Sequence, residues 1–214
     1  MNVLMTGFAP FGGDPINPAA EAIYHLNQVT IGGAQVRTLV LPTVRYRAID
    51  ALRDGIHQYD PSLIICVGQA GGRPDITIER VAINIDDFRI KDNVGNQPID
   101  EPIIPNGPTA YWSTLPIKKI VTTLRQHSVP ASIFQSAGTF ICNHLFYGLM
   151  DTLAKDPQKR RGGLIHIPYL PEQAARNPGQ PSMSLDVIIK GLKLAVETAI
   201  LYEEDEKSCG GTIC

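Results

Sequence analysis

The chain has 214 residues, with 19 basic against 21 acidic side chains and a formal net charge of −2. Its 43% hydrophobic and 19% charged residues are the proportions of a packed globular protein, too apolar for a disordered chain and too mixed for a fibre. No run of about 18 apolar residues is available to cross a bilayer, Asn2 stands where a signal peptide carries basic residues, and Lys159-Arg160-Arg161 is too short a basic cluster to grip a phosphate backbone. A soluble, cytoplasmic protein is expected, without nucleic-acid or membrane partners. Four cysteines are too few for a disulfide scaffold and lack the paired C-x-x-C spacing of a structural zinc site, so free thiols in a reducing compartment are expected.

Short apolar runs alternate with helical periodicity. Residues 3–8 predict a strand, 19–26 a helix and 36–41 a second strand, the punctuation of βαβ units. Asn17 before Pro18 predicts a helix start, because asparagine can cap free N–H groups and a first-turn proline loses no hydrogen bond. Val44, Ala48, Ile49, Leu52 and Ile56 share one face of a second helix, which Thr43 can cap and Asp60-Pro61 stops. Residues 63–67 form a continuous apolar run, expected of a strand covered on both faces and so central in its sheet.

From Ile76 the apolar residues keep even positions as far as Ile78, then odd ones from Val81 to Ile85. This slip of phase at Glu79-Arg80 implies either a bulge or bend that re-aims Glu79, or a hairpin corner. Residues 88–108 are polar, interrupted by Pro98, Pro102, Pro105 and Pro108, and read as a structureless flap or subunit-contact loop. Beyond it come a helix around Ile117, Ile120, Val121 and Leu124, a strand at 131–135, a helix through Leu145, Phe146, Leu149 and Met150, and a strand at 164–167. Leu185, Ile188, Ile189, Leu192, Val196 and Ala199 mark the longest amphipathic helix, and Glu203-Glu204-Asp205-Glu206 after it reads as solvated. Residues 1–206 therefore read as one α/β domain and 207–214 as a flexible tail.

Gly7-Phe8-Ala9-Pro10-Phe11-Gly12-Gly13-Asp14 follows a strand and precedes a helix, the place of a phosphate loop, yet Gly13 and Asp14 stand where such a loop needs lysine and then serine or threonine. Gly68-Gln69-Ala70-Gly71-Gly72 likewise lacks G-x-G-x-x-G spacing. Both remain glycine-permitted loops at the carboxyl ends of parallel strands, where open α/β sheets bind ligands. Phe8 and Phe11 either line such a site or pack beneath the loop.

Cys142 stands at the start of a helix, where partial positive charge and free N–H groups favour a thiolate and can hold an oxyanion. The bland alternative is a small buried hydrophobe, which is how Cys66 reads; Cys209 and Cys214 lie in the tail without prenylation spacing. His25, His57 and His127, near helix ends, read as surface residues. His144 is two residues from Cys142, about 200° around the same helix, and cannot pair with it easily. His166 lies in the apolar strand after that helix, whose carboxyl end returns near the helix start; it is a base or a satisfied core residue. Glu79 at the phase slip leads the candidates for an acid orienting His166, with Asp75, Asp86 and Asp87 as competitors.

Five segments occur in an order that resembles the pyroglutamyl peptidase type I family, also called pyrrolidone carboxyl peptidases: Gly7 to Gly13, Gly68 to Arg73, Ile78 to Asn84, Ser136 to Asn143, and His166 to Tyr169. The resemblance spans nearly the whole chain. It implies a single α/β domain with a twisted, mostly parallel mixed sheet flanked by helices on both faces, commonly assembled as a tetramer. It also implies a cysteine exopeptidase needing no metal or cofactor, which removes N-terminal pyroglutamate through a thioester, with Cys142 as nucleophile, His166 as base and Glu79 as orienting acid. Pyroglutamate is a neutral lactam, so its pocket needs apolar faces and a few hydrogen bonds. Phe8, Phe11 and Phe140 can supply faces, and the resemblance puts Gln69 and Asn17 in the pocket, although helix capping explains Asn17 equally well. Arg89 matches an arginine that assists near the oxyanion, or is a solvated loop charge. Two other readings are carried: a nucleoside phosphorylase, which the fold resembles but which needs a phosphate loop, and a non-catalytic ligand-binding relative, which has no need of Cys142, His166 and Glu79 together.

Overall fold

Side-chain parity along the central strands sorts the molecule into layers. The computed structural model describes residues 1–211, and within them strands β1 (Asn2–Phe8), β2 (Thr30–Ile31), β3 (Ala34–Leu41), β4 (Leu63–Gln69), β5 (Ile76–Glu79), β6 (Val81–Ile83), β7 (Ala110–Trp112), β8 (Ala131–Phe134) and β9 (Arg161–Ile167) alternate with helices α1 (Pro18–Tyr24), α2 (Arg47–Tyr59), α3 (Ile117–Gln126), α4 (Ile141–Ala154), α5 (Pro171–Arg176) and α6 (Leu185–Leu201). Seven strands form one sheet in the order β2-β3-β1-β4-β9-β5-β8, and β6 pairs with β7 beside it. β3, β1, β4 and β9 are parallel, β5 runs antiparallel to β9, and β8 follows β5. The sheet is thus mostly parallel and mixed, and the apolar run in β4 is its central strand.

Successive residues of a strand face opposite sides. Val3, Met5, Ile65, Val67, Ile165 and Ile167 pack against α1, α3 and α6, whereas Leu4, Ile64, Cys66 and Leu164 pack against α2 and α4. α4 is buried over most of its length, which its apolar composition requires. Among the described residues no helix is long and apolar enough to cross a membrane.

Several expectations need correction. Thr43 does not cap α2: its hydroxyl donates to Ala9 O at 2.7 Å, and the helix begins only at Arg47. Between them Tyr46 turns at φ 59°, a conformation held by its N–H donating to His144 Nε2 at 2.8 Å, so a tertiary hydrogen bond overrides the local cap. Of the readings offered for the phase slip, the bend holds, and the bulge and the hairpin corner do not. At Arg80 the chain leaves the large sheet and starts the small one, and the two apolar phases belong to two sheets. The 88–108 segment is not structureless: Asp86 bridges Glu101, Phe88 N donates to Pro98 O, and Asp92 collects N–H groups from Arg45, Val94 and Asn96. Phe88 and Ile103 anchor it in the α2/α4 core.

The acidic run after α6 is not merely solvated. Asp205 accepts from the backbone N–H groups of Lys118 and Lys119 at 3.0 Å, capping α3, whose own N-cap Pro116 makes no side-chain bond. Free first-turn N–H groups favour a carboxylate partner, and here it arrives from a distant part of the chain. Beyond it, Ser208 O accepts from Lys118 and Gly210 O from Arg80. Cys214 lies outside the described residues.

Candidate active site

Register brings the site together. His166 pairs with Gly68 on β4 and with Thr77 on β5, and its even position turns it toward the α2/α4 layer. Thr77 and Glu79 share that face because Ile76 and Ile78 fill the opposite core, so Glu79 lies diagonally across from His166, within reach of a long side chain. Its Oε1 meets His166 Nδ1 at 2.7 Å. Cys142 enters from above, in the first turn of α4, where the backbone N–H groups are free to stabilise negative charge.

Gly68 shows how close the pair is. A Cβ built on it would lie 2.9 Å from Cys142 Sγ and 3.1 Å from His166 Nε2, so only glycine leaves thiol and imidazole room to face each other. Cys142 Sγ and His166 Nε2 both border this one position, and since Nδ1 is engaged by Glu79, Nε2 is the nitrogen left to face the thiol.

The electrostatics follow from this packing. Burial alone would lower His166, but the charges and hydrogen bonds of Cys142 and Glu79 outweigh it and raise the imidazolium to about 9. Glu79 is fully buried; burial pushes its carboxyl up, yet His166 and Arg73 hold it below the usual carboxylate range. Arg73 reaches Glu79 Oε1 and Thr77 Oγ1, each at 2.6 Å, with its guanidinium 3.7 Å over the Phe134 ring. Both partners use Oε1, leaving Glu79 Oε2 buried without a partner among the described residues.

His166 protonation falls away as pH rises through about 9, so kcat/KM should show an alkaline limb there. Glu79→Gln removes one charge that raises His166 and should move that limb to lower pH, with the rate on the plateau reduced by about 10²-fold or more. A pH–rate profile of both proteins checks this, and an unmoved limb in the variant would contradict the pairing.

The other candidates divide cleanly. Phe11, Gln69 and Arg89 line a cavity of about 630 Å³ together with Ile90, Tyr169 and Arg176. Phe140 stacks 5.9 Å from Phe11 and edge-on 4.7 Å from Phe88, carrying this apolar wall to the residue just before α4. Phe8 is 2% exposed and packs in the core beneath the loop. Asn17 is equally buried: Oδ1 accepts from Ala19 N, and Nδ2 donates to Ala9 O, so it caps α1 and holds the loop carrying Phe11. Arg89 is exposed at the cavity rim.

Cys66 is fully buried, and burial pushes its thiol up to about 12. Of the competing acids, Asp86 belongs to a second pair, with its carboxylate 2.9 Å from His144 Nδ1 and 2.8 Å from Arg45. With Asn143, which accepts from Ile83 N and donates to Ile83 O and Ile85 O, His144 ties the start of α4 to the segment after Glu79. Asp87 N donates to Thr139 O and Asp87 O accepts from the Thr139 hydroxyl, and Asp75 has no side-chain partner among the described residues. Sequence reasoning missed the roles of Arg73, of the Asn143-His144 brace and of Gln173, which bonds Gln69 from behind the cavity. Only Arg73 left a readable signal, an arginine six residues before a glutamate that leaves the apolar pattern.

A half-buried thiol on a helix start, an imidazole and a buried carboxylate, meeting at the carboxyl end of an α/β sheet, define a thiol hydrolase. A family model for pyroglutamyl peptidases matches residues 1–202, and the chain belongs to that family. Pyrrolidone-carboxylate peptidase of Bacillus mycoides is 57% identical over 209 residues, spanning 98% of this chain and 97% of that one. Among solved structures, pyroglutamyl peptidase I from Bacillus amyloliquefaciens is 51% identical with a TM-score of 0.94, covering 96% of this chain and 99% of that one. Pyrrolidone carboxyl peptidase from Thermococcus litoralis, 38% identical, has the same TM-score over 97% and 99%. The protein is accordingly a hydrolase of the cysteine-peptidase class. Neither the phosphorylase reading nor the non-catalytic one finds support in these relatives.

Proposed function

We propose that this enzyme removes N-terminal pyroglutamyl residues from peptides, with Cys142 as nucleophile, His166 as acid and base, and Glu79 as the orienting carboxylate. The observation that carries the reading is the convergence of Sγ, Nε2 and the Glu79 carboxylate across Gly68. His166 Nε2 takes the Cys142 proton, and the thiolate attacks the pyroglutamyl carbonyl. First-turn N–H groups of α4, that of Cys142 among them, hold the oxyanion. As the C–N bond breaks, Nε2 returns its proton to the leaving amine, and a thioester remains. Water then adds with Nε2 accepting its proton, and pyroglutamate leaves as the thiol reforms. Glu79 fixes Nδ1–H and steadies the imidazolium throughout.

Phe11 and Phe140 offer the lactam its apolar faces and Gln69 a polar one, while Arg89 stands at the rim. Phe8 and Asn17 serve the pocket from beneath, by supporting the loop that carries Phe11. A cytoplasmic location suits this thiol chemistry and the free Cys66, Cys142 and Cys209. Assembly into a tetramer is part of the reading, with the exposed Trp112 and Ile99 as surfaces to be covered.

Hydrolysis of pyroglutamyl-coumarin amide beside the matching prolyl and glutamyl amides tests the proposal. The pyroglutamyl amide should be preferred by about 10²-fold or more, since a pocket that hydrogen-bonds a lactam leaves its own polar groups unpaired around proline. Equal rates on all three would overturn it.

A further inference from the structure

We infer that Gln173 sets the hydrogen-bond polarity of the substrate pocket, by forcing Gln69 to present its NH₂ rather than its carbonyl. Gln173 lies on α5, outside the five segments that carry the family resemblance, and it is fully buried. A buried primary amide must place both its acceptor and its donors, and here the two ends of the chain of bonds leave no freedom. At one end, Gln173 Oε1 accepts from the backbone N–H of Leu170 at 3.0 Å, a group that can only donate. At the other, Nε2 donates to Asp14 Oδ2 at 2.8 Å, and Asp14 is ion-paired with Arg176 through Oδ1, so it can only accept.

The orientation of Gln173 being fixed from both sides, its Nε2 is what faces Gln69, at 3.0 Å from Oε1. Gln69 must therefore turn its carbonyl inward. Its Nε2 has no partner among the described residues, and Gln69 lines the same cavity as Phe11 and Ile90. The pocket thus offers a donor, which matches the ring carbonyl that separates pyroglutamyl from prolyl. Were Gln69 flipped, it would set a carbonyl against a carbonyl. Gln173 is a positioning residue: it acts on the substrate through Gln69.

Gln173→Glu tests the relay with almost no change of shape. One oxygen still accepts from Leu170 N–H, but the other meets the Asp14 carboxylate. Whether ionised or sharing a proton with Asp14, the introduced carboxyl group has no N–H left for Gln69, which should rotate to donate to it and turn its own carbonyl to the pocket. The preference for pyroglutamyl over prolyl amide should then fall by about 10²-fold, with the loss on the pyroglutamyl side mainly in KM. The rate of Cys142 alkylation by iodoacetamide, which does not use the pocket amide, should stay within about twofold, and Gln173→Asn should not rescue discrimination because it cannot span both partners.

Unaltered discrimination in Gln173→Glu would overturn the inference. So would loss of alkylation together with turnover, which would place the effect at the nucleophile or the fold. The inference rests on the proposed specificity, and a wild-type enzyme indifferent between the two amides would instead remove that reading, and the inference with it.

Discussion

Cys142→Ser should lower kcat/KM for a pyroglutamyl amide by about 10⁴-fold or more while leaving thermal unfolding almost unchanged. The magnitude follows from nucleophile chemistry. The S–H proton moves to an imidazole that holds it up to about 9, whereas a serine hydroxyl is far too weak an acid to yield its proton to the same base. The substitution is nearly isosteric and the site half-buried, so little packing is lost. Cys66→Ser supplies the contrast. That thiol faces the α2/α4 core, is held up to about 12 by burial, and lies outside the proposed catalytic set, so the variant should cost stability but keep turnover within about tenfold. Comparable losses in the two variants would contradict the assignment.

The second large effect is expected at a residue with no side chain. Gly68→Ala places a methyl group 2.9 Å from Cys142 Sγ, 3.0 Å from His166 Cδ2 and 3.1 Å from His166 Nε2, where ordinary contact needs about 3.5 Å or more. The backbone at Gly68 lies outside the positive-φ region, so alanine meets no strain of its own there, and the whole conflict falls on Cys142 and His166. His166 has little freedom, because Glu79 holds Nδ1 and the ring is packed between β4 and β5. The thiol must retreat, by several tenths of an ångström to about 1 Å. Displacement on that scale costs about 10²-fold in rate, and overpacking costs about 1–3 kcal/mol in stability. We expect kcat to fall about 10²- to 10³-fold with KM nearly constant, since the pocket lined by Phe11 and Gln69 is untouched. Normal turnover in Gly68→Ala would show that Sγ and Nε2 do not face each other across this position.

Much of this arrangement is legible in the sequence because it rests on local rules. A strand apolar at every position has to be central, and β4 is. His166 interrupts an apolar strand on the parity of Leu164, so its face follows once that strand is placed, and Cys142 at a helix start carries its chemistry with it. What escapes is what depends on meetings between distant segments. Thr43 has every mark of a cap, yet the hydrogen bond from Tyr46 to His144 delays the helix by several residues. Asp205 caps α3 although nothing near residue 117 calls for it. The polarity of the pocket is set by Gln173 together with Asp14, Leu170 and Gln69, residues from three parts of the chain, and no periodicity records such a relay. Glu79 stands between the two cases. Its break from the apolar pattern is visible, while the reason, a crossing from one sheet to another, appears only when β6 is seen to pair with β7.

The most direct test of the central claim is peptide mapping of the enzyme after brief iodoacetamide treatment, with and without a pyroglutamyl aldehyde. The thiolate adds reversibly to the aldehyde carbonyl, and the ring occupies the pocket beside it. The account predicts carboxamidomethylation at Cys142, none at buried Cys66, and protection of Cys142 by the pyroglutamyl aldehyde but not by its prolyl counterpart. Labelling of Cys142 that the pyroglutamyl aldehyde leaves unchanged would contradict it.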